Sequence, residues 1–346
     1  MNITWRSRTF LAFILAIAWS GAGHAQLPGP STPPSLSAAA HALALQTGAP
    51  SLPSQKVPFR VRSDVDLVLV EATVRNEHGG IVDDLTPQDF HIFEDGIEQK
   101  ITTFSRDELP LAVALVVDCS GSMDPILREL SRVAVEVLSP LKPDDEVSLF
   151  DFAARADLRV GLTRDRRRIA ERIGTLRAAG GTVIPDALFE AATYLATTAP
   201  ERRHAIILVS DNNNTLKGYA DEEDVIRRAL EAQTVIYSIR VRAGAPSHEM
   251  SVILPIFRDV SVASIAQQTG GEVINAANTE AIRSAMTTVI TRLKRRYVLG
   301  YYSTNHRRDG AFREIAIRLT DDPPNSGRKY SISARRGYFA PGENRE

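Results

Sequence analysis

Cysteine is nearly missing from this sequence: Cys119 stands alone, which rules out an intrachain disulfide. Tryptophan occurs only at Trp5 and Trp19 and never after Ala25. An excess of one charge is also missing. The 41 Lys and Arg against 42 Asp and Glu leave a formal net charge of -1, so no overall field draws the molecule to nucleic acid or an anionic membrane. No stretch after the first residues is apolar for the ~20 positions that a bilayer requires. The seven histidines are scattered, with no pair at zinc-ligand spacing. Neither a G-x-S-x-G string nor a P-loop occurs. A disulfide-stapled scaffold, a zinc protease, an α/β-hydrolase and a P-loop nucleotide enzyme are thereby set aside.

The N-terminal residues carry an address. Arg6 and Arg8 provide a positive start, residues 10–19 a short apolar core, and Gly23-His24-Ala25 the small residues of a cleavage site. This is the pattern of a Sec-type signal peptide over residues 1–25. Ser7 splits the arginines, which argues against a twin-arginine route, and no cysteine follows for lipid attachment. An uncleaved anchor is the competing reading, although the apolar run is short for one. The mature protein is expected in the periplasm or outside the cell, without a stable membrane anchor. Residues 26–57 are rich in Pro, Ser and Ala and read as a flexible tether.

Two patterns alternate after that. Residues 58–107 show period-two strands, turn residues at 76–80, a Thr86-Pro87 helical start and an Asp95-Gly96 hairpin between strands 91–94 and 97–104. Residues 108–296 switch to strands alternating with amphipathic helices. Residues 111–117 and 204–210 are continuous apolar runs, the mark of strands buried on both faces. Cys119 closes the first and reads as a small core residue. The basic runs at 166–168 and 292–296 fall on helices and read as solvated faces or cationic ends. Strand patterns return over 297–340. Each flank has about three strands, too few for a core of its own. The expected fold is therefore a doubly wound, mostly parallel α/β sheet (108–296) inserted in a small all-β, sandwich-like domain built from both flanks (58–107 with 297–340).

Ligands of an open α/β sheet bind at the carboxyl ends of its strands. Three segments converge there: Asp118-Cys119-Ser120-Gly121-Ser122 after the first buried strand, Thr182 in a glycine-flanked loop, and Asp211 after the second buried strand. Acidic and hydroxyl residues crowd any helix start as caps, so the D-x-S-x-S string alone is weak. Three loops, each bringing an oxygen ligand to one sheet edge, make a stronger case. A set with oxygen ligands only and two carboxylates suits Mg2+ or Mn2+ rather than zinc. Neutral hydroxyls leave such an ion largely unneutralised, and hence attractive to an incoming carboxylate.

At these residues the chain resembles the von Willebrand factor type A family and its metal-ion-dependent adhesion site. The resemblance puts the motif on Asp118, Ser120 and Ser122, the separate threonine on Thr182 and the later aspartate on Asp211. It implies that the serines and, in an open state, the threonine touch the ion, that the aspartates often act through water, and that a ligand carboxylate completes the shell. One departure stands out: the family commonly has glycine after the last aspartate, where this chain has Asn212-Asn213-Asn214. Asn212, Asn213 and Gly181 are candidates for the ligand-facing rim. The segments Leu85-Thr86-Pro87-Gln88-Asp89-Phe90, Glu94-Asp95-Gly96 and Arg336-Gly337-Tyr338-Phe339 are similar to those of the secreted VWFA-related family typified in Acidobacteria.

The function expected is non-enzymatic capture of a protein partner through its Asp or Glu carboxylate. Two alternatives stay open. Metal-assisted hydrolysis needs a general base, with Asp124, Asp151 and Asp186 as candidates. A subunit that assists assembly of a cell-envelope complex is the other.

Overall fold

Alternation with a period of two opens the described chain. The computed structural model describes residues 67–106, 109–242, 260–320 and 329–342. The signal peptide, the tether, the start of order near Phe59 and the turn at 321–327 lie outside them. Strand β1 (Leu67–Asn76) buries Val68, Val70, Ala72 and Val74, and β2 (Ile81–Val82) pairs back onto it. A capping box between Thr86 and Asp89 starts a short 3-10 turn at Pro87. Strand β3 (Phe90–Glu94) and β4 (Ile97–Gln99) then form a hairpin. Its turn residues Asp95 and Gly96 have φ of 48° and 81°, the geometry that matches strand twist. The strand expected over 97–104 is divided at Lys100. Its second half, β5 (Ile101–Ser105), belongs to another sheet, so the chain turns a corner between sheets where it reads as one strand.

The α/β pattern follows. Strand β6 (Leu111–Asp118) is buried throughout. It leads to α1 (Asp124–Leu138), β7 (Glu146–Phe152), β8 (Ala156–Thr163), α2 (Arg166–Ile173) and α3 (Ile184–Thr198). Strand β9 (Arg203–Ser210), also buried throughout, is followed by α4 (Glu222–Glu231), β10 (Thr234–Val241), α5 (Val262–Gln268), β11 (Val273–Ala276) and α6 (Thr279–Lys294). The sheet order is β11-β10-β9-β6-β7-β8, parallel except for the antiparallel edge strand β8. Odd and even residues of β6 go to opposite faces, as the pleat requires. Leu111, Val113, Leu115 and Val117 pack with α1, α2 and α6. Ala112, Ala114 and Val116 pack with α3, α4 and α5. Each fully buried Val or Leu side chain contributes roughly 1.5–3 kcal/mol, so these two layers fix the position of the strand ends that carry the site.

The last strands are β12 (Tyr297–Tyr302), β13 (Phe312–Leu319), β14 (Tyr330–Ala334) and β15 (Gly337–Phe339). One sheet runs β14-β1-β12-β5 and another β15-β13-β3-β4. Strands from the two ends of the chain therefore pair directly: β1 with β12 and β14, and β3 with β13. Their shared core includes Val70, Ile92, Tyr297, Leu299 and Tyr301.

Two glutamates join these flanking strands to the α/β layers. Glu71 on β1 receives Arg203 from β9 through both carboxylate oxygens, and Arg296 at 3.1 Å. Arg296 also donates to the Tyr237 hydroxyl at 2.7 Å. Glu272 receives Arg75 from β1 at 2.6 Å and pairs with Arg292 of α6. Burial alone would raise the Glu71 carboxyl, but Arg203 and then Arg296 outweigh it and hold the group at about 2. No helix among the described residues is long and apolar enough to cross a membrane.

Because the folded value of Glu71 lies below the ordinary carboxylate value of 4.5, its stabilising effect is complete above that value. It is lost as pH falls toward about 2. Glu71→Gln should flatten the acid dependence of unfolding in that window. At neutral pH it should cost about 3 kcal/mol by leaving two guanidiniums without their partner. Denaturant unfolding of both proteins across pH measures this, and identical acid limbs would contradict it.

Candidate functional site

Asp118 ends β6 with no exposed surface. Its Oδ1 accepts from the Ser120 backbone N–H at 2.8 Å and its Oδ2 from the Ser210 hydroxyl at 2.6 Å. Burial pushes its carboxyl up to about 6; the Ser210 and Ser120 hydrogen bonds oppose that rise and the Asp211 charge adds to it. Above Asp118 lies a chain of side-chain oxygens: the Ser120 and Ser122 hydroxyls are 3.2 Å apart, and Ser122 donates to Asp211 Oδ2 at 2.9 Å.

The Thr182 loop is joined to this motif through the main chain. Ala179 N–H donates to Cys119 O at 2.8 Å and Gly121 N–H to Gly180 O at 3.2 Å. Thr182 is itself clamped from the loop after β9. Its N–H donates to the Thr215 hydroxyl at 2.8 Å, and its carbonyl accepts from Thr215 and Leu216 N–H, both at 3.0 Å. Gly181 keeps the two loops together, since a Cβ there would stand 2.8 Å from Leu216 Cδ1. Gly181 is thus a spacer between loops. Asn212 takes the left-handed φ of 59°, a region Asn tolerates better than most residues. It can therefore occupy the place where the family commonly has glycine. Its Oδ1 accepts from the buried Ser238 hydroxyl at 3.0 Å. Asn213 is exposed and its N–H donates to Asp211 Oδ1 at 3.0 Å.

The donor set fits a hard divalent cation. No group of three or more His, Cys, Asp or Glu able to hold a metal occurs among the described residues, so a cation at this strand end would need hydroxyl oxygens beside the carboxylates. Hard oxygen donors suit Mg2+ or Mn2+. The raised Asp118 carboxyl is a group whose ionised form a nearby positive charge would favour.

The carboxylates considered as general bases are committed elsewhere. Asp151 pairs with Arg159 at 2.6 Å, and Asp124 with Arg128 at 2.8 Å on the exposed face of α1. Asp186 accepts from the Ala220 and Tyr219 N–H groups at 3.0 and 3.4 Å. A Cβ at Gly218 would lie 2.1 Å from its carboxylate, so Asp186 and Gly218 together close the loop after β9. Cys119 is buried, and burial pushes its thiol up to about 12; an inert core thiol results.

Ser210, Asn214 and Thr215 are the site residues that sequence reasoning missed. Ser210 was visible as the hydroxyl residue ending an apolar strand beside Asp211. The other two gave no signal, because their partners sit about thirty residues away and are reached only through the fold. Asn214 accepts from Ile184 N–H at 2.9 Å and so serves as a cap in trans for α3. Asn214→Ala should cost about 1 kcal/mol, and Asn214→Asp should restore most of it. Denaturant titration checks this; an alanine variant as stable as the parent would contradict the capping role.

Residues 113–213 match the profile of the von Willebrand factor type A domain. An uncharacterised protein of Synechocystis sp. (strain ATCC 27184 / PCC 6803 / Kazusa) is 34% identical over 109 residues, 31% of this chain and 26% of that protein. The chain thus spans about a quarter of that relative. A von Willebrand factor type A structure from Catenulispora acidiphila aligns at 12% identity and a TM-score of 0.45, over 81% of this chain and 74% of that one. Proximal thread matrix protein 1 of the mussel byssus, described with zinc in its MIDAS motif, aligns at 19% identity and 0.43, over 59% and 50%. Residues 113–213, within the α/β core, are thus the part of this chain that matches a von Willebrand factor type A domain.

Proposed function

We propose that the protein is an exported, non-enzymatic binding protein that captures an acidic group of a protein partner at a divalent cation. The observation that carries this reading is the run of oxygens from Ser120 through Ser122 to Asp211, standing over the buried Asp118. Ser120, Ser122, Thr182, Asp118 and Asp211 are the residues that would hold Mg2+ or Mn2+. Such an ion supplies a positive centre with directional oxygen coordination, to which a partner's Asp or Glu side chain adds the last ligand. Binding is favoured over hydrolysis because Asp124, Asp151 and Asp186 are each engaged in an ion pair or a loop closure. Export rests on the signal pattern of residues 1–25. In the same reading, the strands of residues 58–107 and 297–340 form one β domain around the core.

The site residues divide by the step they serve. Asp118→Ala removes one of two carboxylates and should weaken Mg2+ or Mn2+ binding itself. Thr182→Ala removes a neutral hydroxyl, which a water replaces in the coordination of Mg2+. It should keep much of the metal affinity and lose capture of an acidic partner. Calorimetry with metal, followed by capture from the extracytoplasmic fraction at saturating metal, measures the two steps. Normal capture by Thr182→Ala, or wild-type capture that persists in EDTA, would contradict the proposal.

A further inference from the structure

The pleat of β1 presents a second face. While Val68 and Val70 enter the core of the flanking strands, Leu67 and Leu69 point the other way and remain 42% and 38% exposed. They line a cavity of about 460 Å³ between this sheet and the edge of the α/β core where β9 and β10 begin. A volume of this size lies within the roughly 300–1,000 Å³ range of small-molecule sites. Val298 from β12 and Leu230 and Val235 from the core extend the apolar lining.

The charged groups of the cavity do not balance. Four arginines and two glutamates line it. Glu71 is already shared by Arg203 and Arg296. Arg335 makes no close ion pair among the described residues, although the Glu71 carboxylate lies near enough to favour its charge; its Nη2 donates to Leu69 O at 2.8 Å and its Nε has no hydrogen-bond partner. Burial lowers the Arg335 guanidinium from its ordinary value, so its charge is maintained at a cost that an anion beside it would relieve. The planar guanidinium fork matches a carboxylate.

We propose that this cavity is a second binding site, for a single-chain carboxylate amphiphile of the fatty-acid type. The carboxylate pairs with Arg335, and the alkyl chain lies along Leu67, Leu69 and Val298. The site is independent of the cation site: Arg203 and Ser210 are the two ends of β9, about 23 Å apart at ~3.3 Å per residue.

Calorimetry on the full chain in EDTA, with decanoate, decanol and butyrate, tests this. Failure of the cation site would not affect the readout. Decanoate should bind one to one. Decanol, without the charge-assisted hydrogen bonds, should bind about tenfold more weakly. Butyrate should bind at least about a hundredfold more weakly, because it lacks most of the buried methylenes. Arg335→Gln should bring decanoate down to the level of decanol. Should that variant fail to fold, Leu69→Glu, which sets a negative charge in the groove, should abolish decanoate binding. No binding of decanoate, equal binding of decanol, or unchanged decanoate affinity in the folded variants would overturn the proposal.

Discussion

The Asp118 carboxylate is held by two hydrogen bonds, from Ser120 N–H and from the Ser210 hydroxyl, and the geometry of the site follows from them. The first turns the chain sharply as it leaves β6, which brings Ser120 and Ser122 over the strand end. The second ties the end of β6 to the end of β9 and so places Asp211 within reach of Ser122. An ionised carboxylate cut off from water costs several kcal/mol unless opposite charge or hydrogen bonds compensate it. Two donors compensate in part, and the group is still raised to about 6. The site is thus assembled around a buried acid that a cation would complete.

Rigid surroundings keep that arrangement in place. Thr182 is bonded on both its N–H and its carbonyl by the loop after β9, and that loop is closed by Asp186 and capped onto α3 by Asn214. Farther away, Glu71 and Glu272 each hold two arginines at the boundary between the flanking strands and the core, Glu272 reaching across it to Arg75. Removing one partner from such a buried cluster leaves uncompensated charge, which is more costly than losing the pair as a whole.

Strands β6 and β9 were legible in the sequence because burial on both faces leaves an uninterrupted apolar run. The cation-site candidates were legible because the motif residues fall just past such runs. Strand β1 was legible as a strand, but Leu67-Val68-Leu69-Val70 is apolar throughout and did not mark its buried face, and the roles of Glu71 and Arg75 stayed concealed, since a charged residue on the second face of a strand usually meets water. The corner at Lys100 was not legible because no glycine or proline marks it. Strand β15 is only three residues long, too short for a period to show. Asn214 and Thr215 act on residues about thirty positions earlier in the chain, a relation that no local pattern contains.

The most direct measurement of the central claim is anomalous diffraction from crystals of the full chain grown with Mn2+. The account predicts a single strong peak at the end of β6, at direct coordination distance, about 2.2 Å, from the hydroxyl oxygens of Ser120 and Ser122. A peak held by other residues, or none at this strand end under saturating Mn2+, would contradict it.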